Sequence, residues 1–150
     1  MQQDIERYVS ELSGAVWEQV VGLPLEPTEA APAVGTQTVE GHVHIVGAWK
    51  GTLVLQCSEA AAKRAAEAFF HTAPADQAPE DAVDAVAELT NMIGANLKSL
   101  MAEDGCALSL PTVIAGADFS VRMPRTRLVT RQTFMADHAP VVVTVLEPAA

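Results

Sequence analysis

Apolar residues recur every three or four positions at Ile5, Val9, Leu12, Val16 and Val20, and Pro24 lies just beyond them. That period predicts a helix over 5–21. The stretch 24–35 holds Pro24, Pro27 and Pro32 and reads as an extended connector. Polar and apolar positions alternate over 36–46 and again over 52–57, with Gly47-Ala48-Trp49-Lys50-Gly51 between them. That pattern predicts two half-buried strands in a hairpin. Ser58 fits the N-cap of an Ala-rich helix running to about residue 71. A second Pro/Ala connector covers 72–79.

The third helix has the clearest pattern. Pro79-Glu80-Asp81 gives it an acid-rich start, and acids favour a helix N-terminus. It is expected to run to Glu103 and stop at Asp104-Gly105. Short strands are expected over 108–113 and 119–123, and longer ones over 127–135 and 141–146. Asp137-His138-Ala139-Pro140 is the turn between the last two. Strands grouped in hairpins predict an α+β fold, an antiparallel sheet with long helices packed on it, as a single domain over 1–150. Both halves run from a long helix into strands, a loose pseudo-repeat with no visible residue-level repeat.

At about 100° per residue, Val83, Val86, Thr90, Ile93, Leu97 and Leu100 share one face of the third helix, the expected core face. Asp84, Glu88, Asn91, Ala95 and Lys98 line the opposite face. Glu88 and Asn91 therefore stand side by side and point outward. Polar residues opposite an apolar stripe are what any surface helix shows, so the spacing alone identifies nothing. Two further features raise its interest. Asn91 is a poor helix former in mid-helix, and Gly94 adds a cost of up to about 1 kcal/mol against Ala. Local rules broken together on an exposed face suggest a place that another molecule approaches closely.

Composition removes several alternatives. Apolar residues make up 49% of the 150 positions, which argues against a disordered chain. The net charge of −10 is the reverse of what a nucleic-acid groove or an anionic membrane surface requires. Arg122, Arg125, Arg127 and Arg131 form a local basic strip, read as a solvated strand face. No apolar run approaches the ~20 residues of a membrane span, so no membrane insertion is expected. The acidic start Met1-Gln2-Gln3-Asp4 is unlike a signal peptide, and the cytoplasm is the expected compartment. Cys57 and Cys106 imply no disulfide framework and read as small hydrophobes. His42 and His44 share a strand face, but no carboxylate or Cys supports them at metal-ligand spacing. Gly47-x3-Gly51-Thr52 lacks the ending of a phosphate loop, and no Gly-x-Ser-x-Gly elbow occurs.

The run Asp84-Ala85-Val86-Ala87-Glu88-Leu89-Thr90-Asn91-Met92-Ile93-Gly94-Ala95 resembles the CheC/CheX/FliY phosphatases of bacterial chemotaxis. Their signature is Asp or Ser, three residues, Glu, two residues, Asn, then small residues and a downstream proline, for which Pro111 is the match. The hairpin from Ile45 to Leu55 also looks like the family's first, and by element order the resemblance spans about 5–147. The chain departs from the pattern in two places. Gly94 and Ala95 stand in the reverse of the family's order. The first helix offers Glu11-Leu12-Ser13-Gly14, with Gly where a second copy would have Asn, so the chain is more similar to CheX with one site.

The resemblance implies hydrolysis of the aspartyl phosphate on a phosphorylated CheY-like receiver domain. Asn91 would orient the attacking water, and Glu88 would dock on the receiver's lysine. Asp84, Gly94, Ala95 and Lys98 would belong to the partner-binding surface, with Gly94 and Ala95 leaving room for receiver backbone. No cofactor of its own is implied; Mg²⁺ is expected on the receiver. The resemblance also implies a homodimer whose sheets pair, for which an exposed edge strand within 127–146 would be the physical support. Two other readings stay open: a non-catalytic docking module with the same fold, and an unrelated α+β domain with a chance Glu-x-x-Asn.

Overall fold

In the computed structural model, among the described residues, three α-helices cover one face of a seven-stranded antiparallel sheet. The structure describes residues 2–30, 36–101 and 105–149, with side chains from Asp4 onward. The helices are α1 (Gln2–Val21), α2 (Glu59–Phe70) and α3 (Pro79–Met101). The strands are β1 (Glu26–Pro27), β2 (Thr38–Gly47), β3 (Gly51–Ser58), β4 (Cys106–Leu108), β5 (Thr112–Gly116), β6 (Thr126–Ala136) and β7 (Ala139–Pro148). Their spatial order is β1-β6-β7-β3-β2-β4, and β5 pairs with β2 on the same edge as β4.

The alternation seen in the sequence now has a physical meaning. Val43 and Ile45 on β2, Leu53 and Leu55 on β3, and Val141, Val143 and Val145 on β7 point beneath the helices and are buried. Trp17 of α1, Leu89 and Ile93 of α3 and four alanines of α2 close this core from above. Each fully buried aliphatic of this kind contributes about 1.5–3 kcal/mol against exposure. Ser58 caps α2 as expected, its hydroxyl accepting from the Ala61 N–H at 3.2 Å. α3 is capped from within, Asp81 Oδ2 accepting from the Ala78 N–H at 2.9 Å.

Three expectations are corrected. No strand forms over 119–123. Asp118 and Arg125 adopt left-handed backbone angles at either end, with φ of 55° and 60°, and bend the chain away from a ladder. Phe119, Val121 and Met123 instead line a groove over the sheet face opposite the helices, with Glu40, Thr144 and Arg131. The single strand expected over 108–113 does not form: residues 109–111 lie outside any strand, between β4, which ends at Leu108, and β5, which begins at Thr112. The connector 24–35 contributes the short strand β1, which pairs with β6 at Phe134 and Met135. The expected end of α3 at Glu103 and Asp104 lies outside the described residues.

Candidate functional site

The site is one face of α3, and the opposite face determines where it points. Thr90 is fully buried, and its hydroxyl donates to the Val86 carbonyl oxygen at 2.6 Å. Its side chain lies over Gly41 of β2, where any added methyl would overlap the Thr90 hydroxyl. One turn on, a Cβ at Gly94 would come 2.7 Å from Val43 Cγ1 and 3.3 Å from Leu108 Cδ1. Two missing side chains, one on the sheet and one on the helix, thus let α3 lie close against β2. That seating fixes the helix's rotation about its axis.

Because the rotation is fixed, Asp84 and Glu88 are exposed, and Asn91, Ala95 and Lys98 are partly exposed along the same stripe. Among the described residues, no ion pair engages Asp84, Glu88 or Lys98, and no hydrogen bond engages the Asn91 amide. A carboxylate and an amide, one turn apart and free of internal partners, can both act on something that docks.

The structure therefore brings Asp84, Glu88, Asn91, Ala95 and Lys98 to one surface and separates Gly94 from them. Gly94 is buried against Val43 and Leu108, so it makes room for the sheet and not for a partner's backbone. This corrects the reading of Gly94 as a partner-facing residue. The wheel places position 94 at the boundary between faces, and sequence does not say which neighbour claims a boundary glycine. Leu100, assigned to the core face, is 41% exposed in the last turn, beyond Leu97.

Chemistry elsewhere is accounted for locally. Contrary to expectation a carboxylate does support His42: Glu40, two residues before it on the same strand face, pairs with its ring at 2.5 Å, buried on the sheet face away from the helices. The His44 ring contacts the Thr52 hydroxyl at 2.9 Å. Among the described residues, no three His, Cys, Asp or Glu side chains converge as a metal site. Burial pushes the Cys57 thiol far up from its ordinary range, which leaves it protonated and unreactive.

The family model described as "Chemotaxis phosphatase CheX" matches residues 39–135, which span both strands of the first hairpin, α3 and most of β6. The chain belongs to the CheX family. Its fold is similar to that of CheX from Vibrio vulnificus, at 20% identity, a TM-score of 0.79 and coverage of 98% of this chain and 99% of that one. CheX from Desulfovibrio desulfuricans matches at 20% identity and a TM-score of 0.77, covering 96% and 99%. The CheX of a CheX–CheY–BeF3–Mg²⁺ complex from Borrelia burgdorferi matches at 15% identity and a TM-score of 0.68, covering 93% and 94%. None of the curated proteins matches the sequence. No helix among the described residues is long and apolar enough to cross a membrane.

Proposed function

We propose that this CheX-family chain hydrolyses the aspartyl phosphate of a CheY-like receiver domain. The observation that carries the reading is the uncommitted pair Glu88 and Asn91 on the outward stripe of α3, in a chain whose family bears that phosphatase's name. The Borrelia relative crystallised with CheY supports the choice of partner.

An acyl phosphate is already activated, and the receiver brings its own Mg²⁺ and lysine. What is left to supply is position. The Asn91 amide holds a water in line with the phosphorus. The water oxygen forms the new P–O bond, its proton passes to a phosphate oxygen, the acyl P–O bond breaks, and the receiver keeps its free carboxylate as inorganic phosphate departs. Fixing one water this way costs little enthalpy and removes the orientational entropy from the barrier. Glu88 pairs with the receiver's lysine and sets the docking register, with Asp84, Ala95 and Lys98 around it. The protein needs no metal or cofactor of its own for these steps.

The same reading includes a homodimer paired through sheets. β7 is interior, so within 127–146 the edge is β6, flanked by β1 at its Phe134 end. Light scattering at micromolar concentration tests this, and a monomer mass refutes it.

The test of the activity is the phosphate lifetime on receiver domains of the same organism, with and without the protein and its Asn91→Ala variant. A lifetime shortened by the wild type and not by the variant supports the phosphatase. Binding without any shortening moves the protein to the docking-module class.

A further inference from the structure

The edge of the sheet beside α3 contains one residue too many. Leu108 of β4 pairs with Ile45, and Thr112 of β5 pairs with His42. The outer chain therefore takes four steps where β2 takes three. Ser109, Leu110 and Pro111 face only His44 and Val43, which makes a β-bulge. Without the extra residue, Leu110 would continue the helix-facing set after Leu108. The bulge turns it out, and Leu110 is 89% exposed, the most exposed large apolar side chain described. Bulges re-aim side chains in this way and recur beside functional sites.

The bulge is held on both sides of the exposed leucine. The Ser109 N–H donates to the His44 carbonyl oxygen at 2.9 Å. The His44 N–H donates back to Ser109 Oγ at 2.9 Å, and that hydroxyl donates to the Leu110 carbonyl oxygen at 3.1 Å. Pro111 comes next, and its fixed φ limits the freedom of the chain there. An apolar side chain is therefore held in water on a restrained crest, where a flexible loop could have folded it back.

The crest adjoins the candidate site. Leu108, two residues before Leu110, packs beneath Gly94. Around the helix, Asn91 and Lys98 are the outward residues next to Gly94, about 60° and 40° away, whereas Glu88 is about 120° away. Leu110 therefore belongs to the sheet edge against which Gly94 packs, and Asn91 and Lys98 are the outward residues of α3 nearest that edge.

We propose that Leu110 is an apolar anchor for the receiver domain, seated on the bulged crest so that the partner is gripped on both flanks of Asn91, by Glu88 on one and by Leu110 on the other. The proposal rests on the receiver-phosphatase reading and deepens it: the cognate receiver carries an apolar patch next to its phosphorylation pocket. A single leucine buried at such a contact accounts for roughly a tenfold change in affinity.

Receiver phosphate release is measured against receiver concentration for wild type, Leu110→Ser and Asn91→Ala, together with binding to a beryllofluoride-loaded receiver. Leu110→Ser is expected to raise half-saturation about tenfold with turnover at saturation unchanged. Asn91→Ala is expected to lose turnover with little change in binding. Because Leu110 touches little of the protein, its variant should keep the wild-type melting temperature. Leu110→Ser saturating like wild type while Asn91→Ala is inactive overturns the anchor and leaves the phosphatase standing. Wild type that binds without hydrolysis, with binding weakened by Leu110→Ser, overturns the phosphatase and keeps the anchor. No binding by wild type overturns both.

Discussion

α1 and α3 are built alike and finished differently. With Glu11 laid on Glu88, each buried position of α1 falls on a buried position of α3, Val9 on Val86, Ser13 on Thr90 and Val16 on Ile93, while α3 buries Ala85, Leu89 and Leu97 in addition. At the position after Val16 and Ile93 the two helices diverge. α1 buries Trp17, and α3 has Gly94. The outward positions diverge too, with Gly14 against Asn91. The buried hydroxyls differ in the same sense. Thr90 Oγ1 donates to the Val86 carbonyl oxygen, while Ser13 Oγ and the neighbouring Trp17 Nε1 have no hydrogen-bond partner among the described residues. A large side chain sets α1 in the core; two absent side chains seat α3 on the sheet. The helix that carries the candidate site is the one seated backbone-close.

The largest expected effect breaks the comparison at its chemical end. Asn91→Ala should lower the rate of receiver dephosphorylation about 100-fold, because the water is no longer held. Phosphate decay on the cognate receiver measures it, and a loss under threefold would remove Asn91 from the mechanism. The next breaks it at the packing end. Gly94→Ala should destabilise the fold by a net amount on the order of 1 kcal/mol, as overpacking against Val43 outweighs the helix-propensity gain. Gly14→Ala has nothing within 4 Å to meet and should stabilise by up to about 1 kcal/mol. Urea denaturation of the two variants should therefore give opposite signs, and equal signs would show that α3 is not held by close contact.

Glu88→Gln comes next, with an expected affinity loss for the phosphorylated receiver of about tenfold, largest at low salt. Titration at two ionic strengths checks it. The smallest effect sharpens the comparison. Gly14→Asn places an amide three residues after Glu11 on an exposed face, and Asn costs less in a helix than Gly. In the Asn91→Ala background it should return a small part of the lost rate. No return at all would show that an exposed Glu-x-x-Asn is insufficient away from the α3 surroundings.

Much of this was legible in the sequence, and the failures share a cause. The stripe of Asp84, Glu88, Asn91, Ala95 and Lys98 follows from helical period alone, and the structure exposes it as the period requires. The strands over 36–46 and 52–57 follow from alternation, but they are not half-buried as expected: β3 is buried on both faces, and β2 also buries Glu40 and His42 on the face away from the helices. What escaped depends on contacts between distant segments. Gly94 faces Val43 and Leu108, and Gly41 faces Thr90, pairings that no local window contains. The stretch 119–123 has a strand's alternation, yet two left-handed residues commit it to a loop. The bulge at Ser109–Pro111 is invisible until β2 lies beside it, because only a partner's register can show that a residue is surplus.

That surplus residue also bears on solubility. A straight strand over 106–116 would leave a long row of free amides and carbonyls along the sheet's margin, a template on which another chain could zip up. Divided by the bulge, the margin offers only two short lengths, out of phase with each other and parted by a proline. Removing Leu110 would bring the lengths into phase, and the deletion variant would then tend to self-associate on concentration. The feature that turns one leucine outward also shortens the margin on which a second chain could pair.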